Sequence, residues 1–362
     1  ILVPQRHVGV TAAMTLIQDI EALEAMPLLG DHRDQALDMV HRLTHQIDPD
    51  QSPDLALRVI IVRFLAQPTQ ADSIDQLATA ESWATAEGLH ELATTIQLLW
   101  CHAVAKVHPE AVQKDVIDQA LTNAKKYPGL LAEQHLAESV FDTEHSDTHL
   151  RQAIAEMSES RHASLKLQAW LDLSTALNAG ADTEGAEAAL TEALSLCRQF
   201  GAASRQVEVL IRLSGLYMER GLNAKAQDHL EEALSLSKVI DDDLSTVVSG
   251  SILCALYLNH GQMEQARQTA DLLLVAGARR GNWFAVVDGH ITHSTVLLLT
   301  GNLSGAIGQL VSAVTHLREI VPAAAVNLLK GRLAELRSTL GADRFDMYYR
   351  DAIAATQRPQ SG

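Results

Sequence analysis

The chain has 362 residues, of which only 4% are aromatic and nine are proline, and it is rich in Ala and Leu. This composition favours helix over strand, because strong helix formers dominate while β-branched and aromatic residues are sparse. The net charge of −17 repels phosphate backbones and anionic membranes, so it argues against direct nucleic-acid or membrane partners.

The cysteines and the N-terminal sequence indicate in which cellular compartment the protein is expected. The chain has an odd number of cysteines, and their spacing matches no disulfide or metal framework; they are Cys101, Cys197 and Cys254. We therefore expect reduced thiols and a cytoplasmic location. The most apolar stretch, residues 59–66, is too short to span a bilayer. The N-terminus has no signal-peptide layout and begins at Ile1 rather than Met, which leads us to expect a processed or partial chain.

Residues 1–160 carry irregular copies of one helical pattern, in which small and large apolar residues share a face. Prolines such as Pro27, Pro53 and Pro68 fall between helices or at their starts, where proline is tolerated. We predict four degenerate second helices of helical hairpins in this part of the chain. Their marker residues are Ala36, Val40 and Leu43; Leu77 and Ala80; Ile117 and Ala120; and Leu150 and Ala153.

Residues 161–320 repeat the pattern regularly. Similar segments start at Ala186, Ala226, Ala266 and Ala306, so the spacing between them is constant. Small, large and small residues at positions i, i+4 and i+7 let another helix approach closely. A turn with glycine precedes each segment, and we expect this glycine to end the preceding helix in the left-handed conformation. These glycines are Gly180, Gly221, Gly261 and Gly301, and Gly341 continues the series.

Residues 210–234 resemble the tetratricopeptide repeat. The matching residues are Leu210, Leu213, Ser214, Tyr217, Gly221, Ala226, Leu230 and Ala233. The 40-residue period is longer than the usual repeat of about 34 residues. Repeats of this length are familiar from bacterial sensor regulators and polarity adaptors. The resemblance implies an all-α, right-handed superhelical solenoid of antiparallel helical hairpins. Counting the regular copies, the irregular copies and the last pair predicts roughly nine hairpins.

The regularity of the repeats suggests three regions. We predict irregular helical repeats and an N-terminal cap over residues 1–160, regular repeats over residues 161–320, and C-terminal capping helices over residues 321–362. The alternative is an irregular helical domain in front of a shorter array.

The predicted binding site lies on the first helices of the regular hairpins, which line the concave side of such a solenoid. A clamp for a peptide carboxylate needs Lys, Asn and Arg at its key positions, and here these positions are occupied by Leu171, Ile211, Ser251 and Ile291. An amphipathic helix or extended peptide with apolar anchors and some basic character fits better. The alternative is that these apolar residues are ordinary core, packed on neighbouring hairpins or a C-terminal helix. The predicted groove residues are Glu208, Ile211, Arg212, Met218, Val248, Ile252, Leu258, Asn259, Asp288, Ile291, Thr295 and Leu298.

No catalytic, cofactor or metal site is predicted. The glycines form neither a GxxxxGK[ST] nor a GxGxxG loop. His290 and His293 are spaced as half a metal site, but no further ligand follows on that helix, so we interpret them as interior histidines with hydrogen-bond partners. The acidic run 241–243 is interpreted as a helix start rather than a cation site.

The leading functional hypothesis is a scaffold or adaptor that binds a protein or peptide and has no enzymatic activity. One alternative is the effector-sensing repeat arm of a bacterial signal-dependent transcriptional regulator. Another is a peptide-pheromone receptor of the helical-repeat type. That class presents rows of Asn to the peptide backbone, whereas only Asn178 and Asn259 qualify here. The sequence leaves the oligomeric state open.

Overall fold

The computed structural model describes residues 5–68, 70–107, 114–158 and 162–356. Within these ranges the chain forms eighteen α-helices and no strand. Each odd-numbered helix packs against the even-numbered helix that follows it, which gives nine consecutive hairpins. The predicted all-α architecture of helical hairpins is therefore confirmed.

The chain divides into two compact units, residues 1–202 and residues 203–362. The predicted boundaries at residues 160 and 320 rest on the regularity of the repeats and stay a prediction. The first unit contains five hairpins, with a short 3₁₀ turn at Pro128–Leu130 before α7. Their helices are α1 (Gln5–Ala25), α2 (Asp31–Gln46), α3 (Pro53–Ala66), α4 (Ala71–Ala86), α5 (His90–Val107), α6 (Lys114–Ala124), α7 (Leu131–Phe141), α8 (Ser146–Glu156), α9 (Ala163–Ala179) and α10 (Thr183–Gln199).

The second unit contains four hairpins. The first helices of three of them start at Ala203, Asp243 and Trp283, which keeps the 40-residue spacing seen in the sequence. The last hairpin continues the packing, since α17 lies against α15 and α16, and α18 lies against α16. The eight helices are α11 (Ala203–Glu219), α12 (Asn223–Val239), α13 (Asp243–Asn259), α14 (Met263–Arg280), α15 (Trp283–Leu299), α16 (Leu303–Leu317), α17 (Ala323–Leu340) and α18 (Ala342–Thr356).

The irregular copies in the first unit do lie on second helices. All of their marker residues, on α2, α4, α6 and α8, are buried. Leu77, Ala120 and Ala153 are completely inaccessible to solvent. A small residue at such a position lets the paired helix approach, and this explains why the pattern survives where the spacing drifts.

The tetratricopeptide-like positions of α11 and α12 form the core of their hairpin. Leu210, Ser214, Ala226, Leu230 and Ala233 are all 0% exposed. Leu213 and Tyr217 are also buried. The buried face of each helix is therefore the one that the repeat pattern predicts.

The turn glycines have the predicted positive φ angle with one exception, and Gly341 differs from the left-handed helical conformation in its ψ angle of 149°. Gly221, Gly261, Gly301 and Gly341 have positive φ angles of 71–83°. Gly180 does not, because its φ is −79°, and the left-handed position is taken by Ala181 with φ 62°. The prediction for Gly180 was wrong by one residue, since the residue that aligns with Gly221 across the 40-residue spacing is Ala181.

The acidic run 241–243 starts a helix, as predicted. Asp242 is the N-cap of α13, and its Oδ1 accepts hydrogen bonds from the backbone N–H groups of Leu244 and Ser245 at 3.1 and 3.2 Å. Asp182, Asn282 and Asn302 cap α10, α15 and α16 in the same way. A short oxygen-bearing side chain at this position satisfies amides that have no partner within the helix.

The first unit brings distant hairpins into contact. Gly30, between α1 and α2, lies against the backbone of Phe200 at the end of α10, and a Cβ at residue 30 would meet the Phe200 carbonyl oxygen at 1.9 Å. Lys106 of α5 forms an ion pair with Asp172 of α9. The first and fifth hairpins of this unit therefore touch, although Gly30 and Phe200 lie near opposite ends of its sequence.

The three cysteines are buried, and none of them forms a disulfide within the described residues. Burial raises the pKa of the Cys101 and Cys254 thiols to about 11, so both stay protonated at neutral pH. No described helix combines the length and the apolar character that crossing a membrane requires.

Candidate partner-binding surface

The twelve predicted groove residues lie on α11, α13 and α15, the first helices of three successive hairpins. None of the twelve is buried. We call this set the first-helix face. Its residues recur at the repeat spacing because each helix uses its remaining face for the hairpin core.

Apolar residues of α11 and α13 form one part of the first-helix face. Ile211, Met218, Ile252 and Leu258 are half-buried. Val248 is 39% exposed, which is high for an apolar side chain within a helix. These five side chains are accessible to a partner, so they are candidates for apolar anchors.

The apolar residues of α15 are in a different position. Ile291 and Leu298 pack against the core cluster that α15 to α18 build around Leu310, Val326 and Leu329. The neighbouring Leu299 is 56% exposed. The last hairpin therefore takes up part of the apolar surface of α15, which leaves α11 and α13 as the more available part of the face.

The charged residues of α11 already pair with one another. The Arg212 Nε and Nη2 donate to Glu208 Oε1 at 3.2 and 3.0 Å, and Arg205 Nη1 donates to Glu208 Oε2 at 2.5 Å. Glu208 is thus neutralised by two guanidinium groups of its own helix, one turn away on either side. A partner that pairs with Arg212 competes with this exposed ion pair, whose own contribution is small.

Asp288 connects α15 to α13. Desolvation by the surrounding protein raises the pKa of its carboxyl group, while a hydrogen bond with the Ser251 side chain opposes that rise. Two polar residues of the first-helix face remain. Asn259 lies exposed at the end of α13, and Thr295 Oγ1 donates a hydrogen bond to the Ile291 carbonyl oxygen at 2.8 Å.

His290 and His293 do not share a ligand position. His290 Nδ1 lies 3.0 Å from Gln309 Nε2, and His293 Nε2 lies 3.0 Å from Asp271 Oδ1. Desolvation lowers the pKa of His290 to about 4, with further lowering by His293 and His316. Each imidazole has its own hydrogen-bond partner on a neighbouring helix, as predicted, but both side chains are partly exposed rather than interior.

Sequence reasoning missed a polar cavity of about 550 Å³ in the first unit. Its wall includes the carboxylates of Glu24, Asp54, Glu91 and Glu133. Arg58 binds Glu24 through two hydrogen bonds of 2.8 and 2.5 Å. Acidic residues in excess of basic ones favour a cationic guest. The cavity needs residues from α1, α3, α5 and α7, the first helices of four successive hairpins, so no local sequence motif indicates it.

Comparison with known proteins identifies the fold. No protein-family model matches the sequence, and no curated protein matches it. Among solved structures, the apo form of RapI is similar with a TM-score of 0.55 and 12% identity, over 96% of this chain and 85% of that chain.

Two further solved structures are related more loosely. Aspartyl phosphate phosphatase F from Bacillus subtilis has a TM-score of 0.46 and 11% identity, over 100% of this chain and 97% of that chain. A Rap protein complexed with competence and sporulation factor has a TM-score of 0.43 and 15% identity, over 93% and 99% respectively. At these identities the likeness concerns the fold alone, and the chain has the fold of a tetratricopeptide-like helical-repeat protein.

Proposed function

We propose that this chain is a helical-repeat scaffold that binds a protein or peptide and does not catalyse a reaction. The observation that carries the proposal is the first-helix face: apolar side chains recur on α11 and α13 and none of them is buried. Rigid helices hold these side chains in place before binding, so less entropy is lost when a partner docks.

The proposed partner is an amphipathic helix or an extended peptide. Ile211, Met218, Ile252 and Leu258 would take its apolar side chains, and Asp288 would accept a basic group at the edge. The net charge of −17 favours basic character in that partner through long-range attraction.

Selection of peptides from a phage-displayed random library tests this proposal. The selected peptides are synthesised with a fluorophore, and their affinity is measured by anisotropy. We expect Ile252→Asp to weaken binding at least tenfold, about 1.4 kcal/mol, because a carboxylate would meet an apolar anchor. The helix content and melting temperature should change little, since Ile252 is not fully buried.

Val275→Asp is the matched control, because Val275 is 53% exposed on the second helix α14. It should leave peptide binding unchanged. If both variants bind equally well, the site lies elsewhere, with the polar cavity of the first unit as the next place to examine. If Ile252→Asp unfolds the chain, Ile252 is core and the first-helix face is not an open surface.

The finer hypotheses remain proposals. A bacterial signal-dependent regulator with a sensing arm built from 40-residue repeats would bind a small effector or an inhibitor protein on that arm. A pheromone receptor would bind one short peptide with a narrow sequence preference. Library selection separates these cases, because a pheromone receptor returns a single consensus whereas a scaffold returns diverse sequences with shared apolar spacing. The buried thiols are compatible with a reducing, cytoplasmic compartment.

A further inference from the structure

The hairpin of α7 and α8 carries a group of metal-binding side chains. His135 and Glu138 are three residues apart on α7, so they share a face of the helix. The antiparallel α8 places His149 beside them. One ligand atom from each of the three residues lies within 4.8 Å of the other two, and within the described ranges no other three His, Cys, Asp or Glu residues meet this spacing.

The carboxylate of Glu138 lies between the two imidazoles. Its Oε2 is 3.0 Å from His135 Nδ1 and 3.1 Å from His149 Nδ1. The two rings stack with their centroids 6.1 Å apart. The three side chains are 19–31% exposed, so they are sheltered but within reach of an ion from solvent.

The hydrogen bond at the other nitrogen of His149 indicates which ring nitrogen carries the proton. His149 Nε2 lies 3.4 Å from Asp142 Oδ2, and a proton on Nε2 makes this contact a hydrogen bond. In that tautomer Nδ1 presents a lone pair, 3.1 Å from the Glu138 oxygen. The Nδ1 atom is buried, and no aligned hydrogen bond satisfies it. Two electron-rich atoms at this separation repel unless a cation lies between them.

We propose that His135, Glu138 and His149 bind one divalent transition-metal ion of the Zn²⁺ type. Two imidazoles and one carboxylate are the donors that Zn²⁺ accepts, at about 2.0–2.2 Å each. Tetrahedral ligands at that distance are about 3.4 Å apart, so the 3.0 and 3.1 Å contacts would lengthen slightly. The two histidine nitrogens, which lie within 4.8 Å of each other, would adjust to the same separation.

Asp142 completes the arrangement from outside. A carboxylate that accepts from the far nitrogen of a ligating histidine orients the ring and raises its basicity. Asp142 also contacts His145 Nδ1 at 3.1 Å, and hydrogen bonds with His145 and His149 lower the pKa of this carboxyl group. Two of the three ligands, Glu138 and His149, also line a cavity of about 510 Å³, together with Asp142, Lys114 and Asp118. Water or a ligand atom of a partner would complete the coordination at the fourth position.

The competing explanation is a cluster held by protons alone. An imidazolium at His149 would also pair with Glu138 and Asp142. The two explanations differ in their response to pH, because a cluster held by protons weakens as the pH rises, whereas metal binding strengthens when its ligands are neutral imidazoles.

The test titrates the tag-free, chelator-treated full chain with Zn²⁺ at pH 7.5, in competition with a chromophoric chelator. We expect one ion per chain at the strongest site. Each of His135→Ala and His149→Ala should weaken this site at least tenfold, since even outer-shell changes cost about 10–100-fold. His316→Ala is the control, because His316 bonds only within α16, to Ser312. It should bind like the wild type.

Two measurements keep the result independent of folding. Far-UV dichroism checks that each variant retains its helix content, and Co²⁺ substitution of the wild type should give the intense visible absorption of a tetrahedral site. The His41–His45 pair on α2, with ring centroids 4.8 Å apart, is expected to give a second, weaker equivalent that His149→Ala leaves in place. The proposal fails if wild-type Co²⁺ absorption is octahedral and weak, or if the His135→Ala/His149→Ala double variant retains the wild-type affinity.

Discussion

A single alanine occupies a turn position where glycine is better suited. Ala181 has φ 62°, while the aligned Gly221, Gly261 and Gly301 have φ 71°, 72° and 83°. The left-handed conformation costs an L-residue about 1–2 kcal/mol, because Cβ approaches the carbonyl oxygen. Glycine avoids this cost but loses more entropy on folding, by about 0.5–1 kcal/mol.

We therefore expect Ala181→Gly to stabilise the chain by roughly 0.5–1 kcal/mol. Urea unfolding followed by far-UV dichroism measures this as a higher midpoint. Ala176→Gly within α9 is the control, since it removes the same methyl group without relieving any strain, and it should destabilise by about 1 kcal/mol. A lower midpoint for Ala181→Gly would mean that the alanine side chain contributes packing that outweighs the strain.

At the scale of the element, two glycines show what sets the distance between helices. A Cβ at Gly289 of α15 would lie 2.9 Å from Leu274 Cδ2 and 3.0 Å from the Ala270 carbonyl oxygen, both on α14. A Cβ at Gly215 of α11 would meet nothing within 4 Å. Gly289 is therefore required for close approach of two helices, whereas Gly215 only reduces the helix propensity of α11.

The two glycines should respond to the same substitution with opposite signs. We expect Gly215→Ala to stabilise by about 0.5–1 kcal/mol through helix propensity. Gly289→Ala should destabilise, because overpacking costs about 1–3 kcal/mol and outweighs that gain. Equilibrium denaturation of both variants tests this. Equal stabilisation would show that α14 and α15 can separate without loss.

Close packing between helices also explains which parts of the structure could be predicted from the sequence. The marker residues of α2, α4, α6 and α8 were found from the sequence, because a close helix crossing requires a small residue next to a large one. Ile252 is only half-buried because the hairpin core takes the opposite face of α13, which carries Leu253 and Tyr257. The pairing of Glu208 with two arginines needed side-chain geometry. The His135, Glu138 and His149 group was missed because its third member lies on another helix, although the i, i+3 spacing on α7 was a signal.

At the scale of the whole molecule, the Gly30–Phe200 contact tests how the first unit is held together. Gly30 has φ 64° and ψ −144°, a region that only glycine adopts readily. Gly30→Ala would add that strain to a Cβ placed 1.9 Å from a backbone oxygen. We expect the free energy of unfolding to fall by several kcal/mol, because neither backbone segment can move away without moving its whole hairpin.

Thiol labelling locates the effect of this change. Cys101 and Cys197 lie in the unit of Gly30, and Cys254 lies in the other unit. In moderate urea, Gly30→Ala should accelerate the labelling of Cys101 and Cys197 more than that of Cys254, as read by mass spectrometry. Gly88→Ala is the control, since Gly88 has φ 72° but open space around it. Equal labelling in the two variants would mean that the contact contributes nothing to the stability of the first unit.

The same contact has a consequence during synthesis on the ribosome. Its two sides are separated by roughly 170 residues, and ribosomes add about 5–20 residues per second. The surface of the first hairpin that faces Phe200 therefore waits about 9–34 seconds for its partner to be translated. During that interval it can be bound by a chaperone or pair wrongly with a neighbouring nascent chain. Translation speed across residues 30–200 should thus influence the yield of folded protein more than the stability of the finished molecule suggests.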